Sequence, residues 1–119
     1  MEEIQISLRE QLTGISGVHI TPFNNDGGIN DKLLIKIINK ISGAGIHVIV
    51  TNGNTAEFYS LNPEEIKHVQ GISAQANDGR SLMMMAVGRS LKEAIDSAKY
   101  AKQNKADLIM IHQPMDPFV

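Results

Sequence analysis

Apolar residues fall along the chain in two alternating patterns: short runs rich in β-branched residues or methionine, and longer segments with helical spacing. A short helix is expected near Ile6 to Leu12. The run Ile15 to Ile20 reads as a first strand, closed by Thr21-Pro22 because proline has no N–H for a ladder. The turn Asp26-Gly27-Gly28 follows. Asn30 or Asp31 then caps a helix whose Leu33, Leu34, Ile37, Ile38 and Ile41 share a stripe, with Gly43 and Gly45 as its stop signal. His47 to Thr51 is a second strand. Asn62-Pro63-Glu64-Glu65 supplies a cap, a proline at the first helical position and a glutamate at the third, so a helix runs from there to about Asn77. Leu82 to Val87, apolar on both faces, reads as a buried parallel strand. Ser90 and Glu93 form a capping box for a third long helix carrying Ala94, Ile95, Ala98 and Ala101, and Leu108 to Ile111 is a fourth strand.

Strand–helix steps repeated at roughly thirty residues imply parallel strands with right-handed crossovers. Periodicity leaves two α/β architectures open, a doubly wound sheet and a barrel. An eight-stranded barrel takes about 250 residues, so in that case these 119 residues are its first half, residues 1–119 forming part of a single domain. Four parallel strands alone leave two raw edges.

Composition narrows the classes of function. Eleven basic against thirteen acidic side chains give a net charge of −2, which lacks the positive footprint that nucleic acid or an anionic membrane demands. Cysteine is absent, which removes disulfides, thiolate metal sites and a cysteine nucleophile, and fits a reducing compartment. Met1-Glu2-Glu3-Ile4 carries acid where a signal peptide needs base, and no apolar run approaches the ~18 residues of a membrane span. The expectation is a soluble cytoplasmic protein.

The stretch richest in chemistry is Thr51-Asn52-Gly53-Asn54-Thr55-Ala56-Glu57, a polar loop at the carboxyl end of the second strand. Barrels and doubly wound sheets both place ligands at such ends. Gly53 lets backbone approach a ligand, Asn54 and Thr55 add an amide and a hydroxyl, and exposed N–H groups suit a carboxylate or phosphate. The competing reading is a plain polar turn.

Gly53-Asn54-Thr55-Ala56-Glu57 resembles the Gly-Thr-Thr-Gly-Glu loop of the dihydrodipicolinate synthase and N-acetylneuraminate lyase family. Thr21-Pro22-Phe23 with Asp26-Gly27 and Ile29 resembles that family's first-strand exit. Leu61-Asn62-Pro63-Glu64-Glu65 is similar to its second-helix start, and Ala106-Asp107 to the approach to its fourth strand. The match runs from about Gly17 over nearly the whole chain. The resemblance implies a (β/α)8 barrel and a lyase or aldolase acting on an α-keto acid through a lysine Schiff base. No cofactor and no metal are expected.

The resemblance further implies that the loop, Thr55 with Asn54 and Gly53, binds the carboxylate of pyruvate or a related keto acid, and that Glu57 anchors the loop. Asn54 stands where the family has a proton-relaying threonine, and an amide cannot pass a proton as a hydroxyl does. Ala56 replaces the family's second glycine, a change that matters if the position needs positive φ. After the fourth strand, Gln113-Pro114-Met115-Asp116-Pro117-Phe118 lacks the Thr-Pro-Tyr-Tyr of dihydrodipicolinate synthases proper. That departure favours a sugar-acid dehydratase or aldolase over lysine-precursor synthesis, with His112 and Asp116 available to substrate hydroxyls or forming a solvated strand end. The Schiff-base lysine of the sixth strand and the acid–base tyrosine of the fifth lie beyond residue 119; Lys92, Lys99, Lys102 and Lys105 all fall on the third long helix or its exit. The family also implies a homo-oligomer, dimer or tetramer, with Met115 and Phe118 near the expected dimer contact. A non-catalytic half-barrel that binds a small anion is the reading of another class.

Other residues have plainer explanations. Met83, Met84 and Met85 point to alternate faces of a strand and pack both sides. His19, His47 and His68 show no metal-ligand spacing. Gly88-Arg89-Ser90 precedes a helix and could hold an anion at its N-terminus, although Arg89 also reads as an exposed rim residue.

Overall fold

Each helix begins at the polar residue that its first turn requires. A computed structural model describes residues 7–114. Helix α1 (Leu8–Gln11) is one short turn capped by Ser7, and Ile6 lies outside the described residues. Of the two candidate caps for α2 (Asp31–Gly43), the Asn30 side chain is the one used, accepting the Leu33 N–H at 3.0 Å. Both reciprocal hydrogen bonds of a capping box form at α3 (Pro63–Asn77), between Asn62 and Glu65, and at α4 (Leu91–Gln103), between Ser90 and Glu93. The chain leaves α2 through Ala44 and Gly45, whose φ of +80° suits a residue without Cβ.

The strands are β1 (Ser16–Val18), β2 (Val48–Thr51), β3 (Leu82–Val87) and β4 (Leu108–Ile111). They form one sheet in the order β1-β2-β3-β4, and every pair is parallel. Strand β1 is shorter than the run Ile15 to Ile20 suggests: His19 and Thr21 lie past its end, their side chains bonded to the Thr51 hydroxyl and the Ala56 carbonyl. Gly17, Ile49 and Met83 lie abreast in the register, and Ile49 and Met83 share a core with Met85, Leu34 and Ile38 of α2, Ile66 and Val69 of α3, and Ala101 of α4. The three long helices therefore cover the same face of the sheet.

Sequential strand order with helices on one face separates the two architectures left open by periodicity. A doubly wound sheet reverses its strand order and carries helices on both faces. A barrel winds one way only. This chain does the latter and comprises roughly the first four β/α units of a (β/α)8 barrel. Met84, between Met83 and Met85, points to the opposite face, as strand alternation requires. On the last strand Ile109 is 42% exposed and Ile111 71% exposed.

Candidate functional site

The loop after β2 is built from two single turns of 3-10 helix, Asn54–Ala56 and Phe58–Ser60, joined at Glu57. Its two left-handed residues are Asn52, at φ +60°, and Glu57, at φ +63°. Ala56 has ordinary backbone geometry and is fully buried, so the substitution of a glycine there causes no strain. Gly53 is needed for a different reason: a Cβ on it would come within 2.8 Å of a Val18 methyl.

The loop backbone is held from several sides. Asn52 is buried, and its Nδ2 donates to the Ile66 carbonyl of α3 at 3.0 Å. The Thr21 hydroxyl donates to the Ala56 carbonyl at 2.7 Å. His112 donates from Nε2 to the Asn52 carbonyl at 2.8 Å, and its ring stacks on Phe58 with centroids 4.1 Å apart. Arg89 reaches over from the tip of β3 and donates to the carbonyls of Phe58, Tyr59 and Leu61.

Within this frame Asn54 and Thr55 stand apart. Both are exposed, and neither side chain has a hydrogen-bond partner among the described residues. Their amides likewise take no part in the backbone bonds of the described residues, as expected for the first turn of a helix. The loop thus offers a hydroxyl, a side-chain amide and two N–H groups on a fixed backbone, a set suited to a carboxylate.

Other residues sit differently from expectation. His112 is 7% exposed and packed, so it is not a solvated strand end, and the bond to Asn52 leaves only Nδ1 for any ligand. Glu57 is exposed, its carboxylate makes no hydrogen bond among the described residues, and it contributes to the loop through its left-handed backbone. Asp116, Met115 and Phe118 lie outside the described residues. Arg89 is half-buried and not an exposed rim residue: one of its guanidinium nitrogens bonds to carbonyls, while Ser90 and Glu93 cap the start of α4. Lys92, Lys99, Lys102 and Lys105 all lie on α4 or just after it.

Beneath the loop runs a buried polar chain that no sequence motif signals. The His19 Nδ1–H donates to the Ile20 carbonyl at 2.8 Å, which makes Nε2 the acceptor for the Thr51 hydroxyl at 2.6 Å. The Ser73 hydroxyl of α3 lies 3.1 Å from the same oxygen. Burial lowers the His19 pKa below 6.5, with the bond to Ile20 opposing it. The unfolded chain then binds the extra proton first, so this stability is complete above pH 6.5 and is lost as pH falls through the folded-state value. Urea unfolding at a series of pH values is expected to show that decline, flattened in His19→Gln; an unchanged slope in the variant would assign it to other groups.

A one-way-wound parallel sheet with a polar loop at its strand tips defines a protein of the barrel class. The sequence profile of the dihydrodipicolinate synthetase family matches residues 11–115, and the chain belongs to that family. A probable 5-dehydro-4-deoxyglucarate dehydratase from Bacillus licheniformis is 28% identical over 107 residues, covering 90% of this chain and 35% of its own. The crystal structure of dihydrodipicolinate synthase from Bacillus clausii is 38% identical with a TM-score of 0.91, over 95% of this chain and 38% of that one. A prophage protein of the same family from E. coli K12, solved in complex with pyruvate, is 27% identical with a TM-score of 0.85, over 91% of this chain and 37% of its own. This chain thus spans little more than a third of the length of these relatives.

Proposed function

We propose that these residues are the N-terminal half of a single barrel domain in a lyase or aldolase-type enzyme. Its substrate is an α-keto acid, pyruvate-like or derived from a sugar acid. The observation that carries this reading is the pair Asn54 and Thr55, exposed and without internal partners on a loop whose backbone is pinned from three neighbouring segments. Thr55, with Asn54 and Gly53, binds the substrate carboxylate. A lysine beyond residue 119 attacks the keto carbon and, after loss of water, forms an iminium that withdraws electrons from the neighbouring carbon. A tyrosine, also beyond residue 119, moves the protons.

Among substrates, Gln113-Pro114 after β4 and the dehydratase relative favour a sugar-acid substrate over the lysine precursor used by dihydrodipicolinate synthase proper. The pyruvate complex of a family member supports a keto acid in either case. Borohydride reduction of the longest natural form of the protein in the presence of pyruvate should add the mass of one reduced pyruvyl group to a single lysine. Thr55→Val should need about tenfold more pyruvate for half-maximal trapping, the usual consequence of losing one hydrogen bond to a charged group. Absence of the adduct in the parent protein would end the Schiff-base reading.

A further inference from the structure

We infer that Arg89 is the positioning residue of the keto-acid site: its guanidinium holds the segment Phe58–Leu61 and thereby fixes the Gly53–Glu57 loop in its binding shape. The inference rests on the function proposed above. Arg89 lies thirty or so residues along the chain from the loop, two residues past the end of β3, and no hydrogen bond joins it to Asn54 or Thr55 among the described residues.

Three observations converge on it. One guanidinium nitrogen donates to the carbonyls of Phe58 (3.3 Å), Tyr59 (3.0 Å) and Leu61. The Phe58 carbonyl also accepts the Leu61 N–H at 3.2 Å, so Arg89 adds a second bond there and supplies donors to the carbonyls of Tyr59 and Leu61 that follow. The charged group also lies 5.8 Å from the centroid of the Phe58 ring, a cation–π approach. Finally, Arg89 holds a left-handed backbone at φ +72°, a conformation that a long side chain adopts only where its surroundings demand it.

The clamp sits where it can govern the loop. Residues 53–57 are held at one end by Asn52, through Ile66 and His112, and in the middle by Thr21 on the Ala56 carbonyl. Their other end runs directly into Phe58–Leu61, where the side-chain hydrogen bonds to the loop backbone come from Arg89. Gly88 completes the fit, since a Cβ there would press on the Phe58 ring at 3.2 Å and on the His112 Cβ at 3.0 Å. Lysine keeps the charge but not the planar, delocalised group that lies over the Phe58 ring, so it reproduces the arrangement only in part. A loop that binds the carboxylate equally in the ground and transition states contributes to KM and leaves kcat alone.

The test uses the longest natural form of the protein with Arg89→Ala and Arg89→Lys. In Arg89→Ala, amide hydrogen exchange should accelerate across residues 53–61 while α3, α4 and β3 keep their protection. KM for the keto acid should rise about tenfold with kcat nearly unchanged, consistent with loss of charged hydrogen bonds. Added guanidinium chloride should restore part of the KM where sodium chloride at equal ionic strength does not, and Arg89→Lys should fall between the two. Unchanged exchange in residues 53–61 overturns the inference, as does loss of protection spread through α3 and α4, which would make Arg89 a general packing residue. If the parent protein turns over no keto acid, the functional reading fails by itself, and the exchange pattern still decides whether Arg89 holds the loop.

Discussion

Replacing Phe58 by alanine should destabilise the protein by about 3–5 kcal/mol, the cost typical of deleting a fully buried aromatic ring. Phe58 is 1% exposed and belongs to the same core as Leu34, Ile49, Met85 and Val69. It stacks on His112, meets the edge of Tyr59 with centroids 5.1 Å apart, and lies beneath Arg89. Its removal leaves a cavity and also takes away the surface on which His112 is oriented toward the Asn52 carbonyl. Urea unfolding of the longest natural form measures the loss. Phe58→Leu, which retains most of the volume, should cost clearly less. A loss for alanine below about 1 kcal/mol would mean that the surroundings collapse into the space or that the ring is not packed as described.

A second large effect is expected from Thr51→Val, which keeps the shape and removes one hydroxyl. Thr51 is fully buried and stands between His19 and Ser73. Valine strands the His19 Nε2 in a buried site, at a cost of about 1–3 kcal/mol. Ser73 can turn to a carbonyl one turn back in its own helix, so it adds little. Thr51→Val combined with His19→Leu should recover part of the loss, because the stranded acceptor is gone. Thermal unfolding of Thr51→Val, His19→Leu and the pair decides the matter: a loss for the pair equal to the sum of the two single losses would show that the two side chains are not coupled.

Much of the architecture can be read locally. Asn62, Pro63 and Glu65 announce α3, and Ser90 and Glu93 announce α4, because capping depends on residues three apart and on nothing distant. Leu82–Val87 is recognisable for a similar reason, since six apolar residues, too short a run for a helix and set between polar segments, fit a strand buried on both faces. The choice between Asn30 and Asp31 as a cap was not legible, both being good acceptors; the register of the turn decided it. The short β1 was also obscured, because Ile15, Val18 and Ile20 mark out a longer run, while the bonds of His19 to Thr51 and of Thr21 to the Ala56 carbonyl lie far away in the chain.

The loop showed the same division. Its polar composition and its place after a strand made Asn54 and Thr55 visible as ligand groups. What steadies them was not visible. Arg89 read as a rim residue because an arginine beside a glycine carries no local sign that three carbonyls will lie within its reach. His112 read as solvated because the stacking partner Phe58 is more than fifty residues away in the chain.

The sequence by itself determined the order of strands and helices, their caps, and the polar character of the bend after β2, since each depends on neighbours within a turn or two. Only the tertiary structure decided that the sheet winds in one direction with its helices on one face, that Asn52 and Glu57 carry the left-handed geometry, and that Arg89, His112 and Thr21 converge on one backbone. The physical reason is that hydrogen bonds and packing between distant segments are fixed by how the strands lie side by side, and the pattern of apolar residues along a chain constrains which face is buried without naming the partner that buries it.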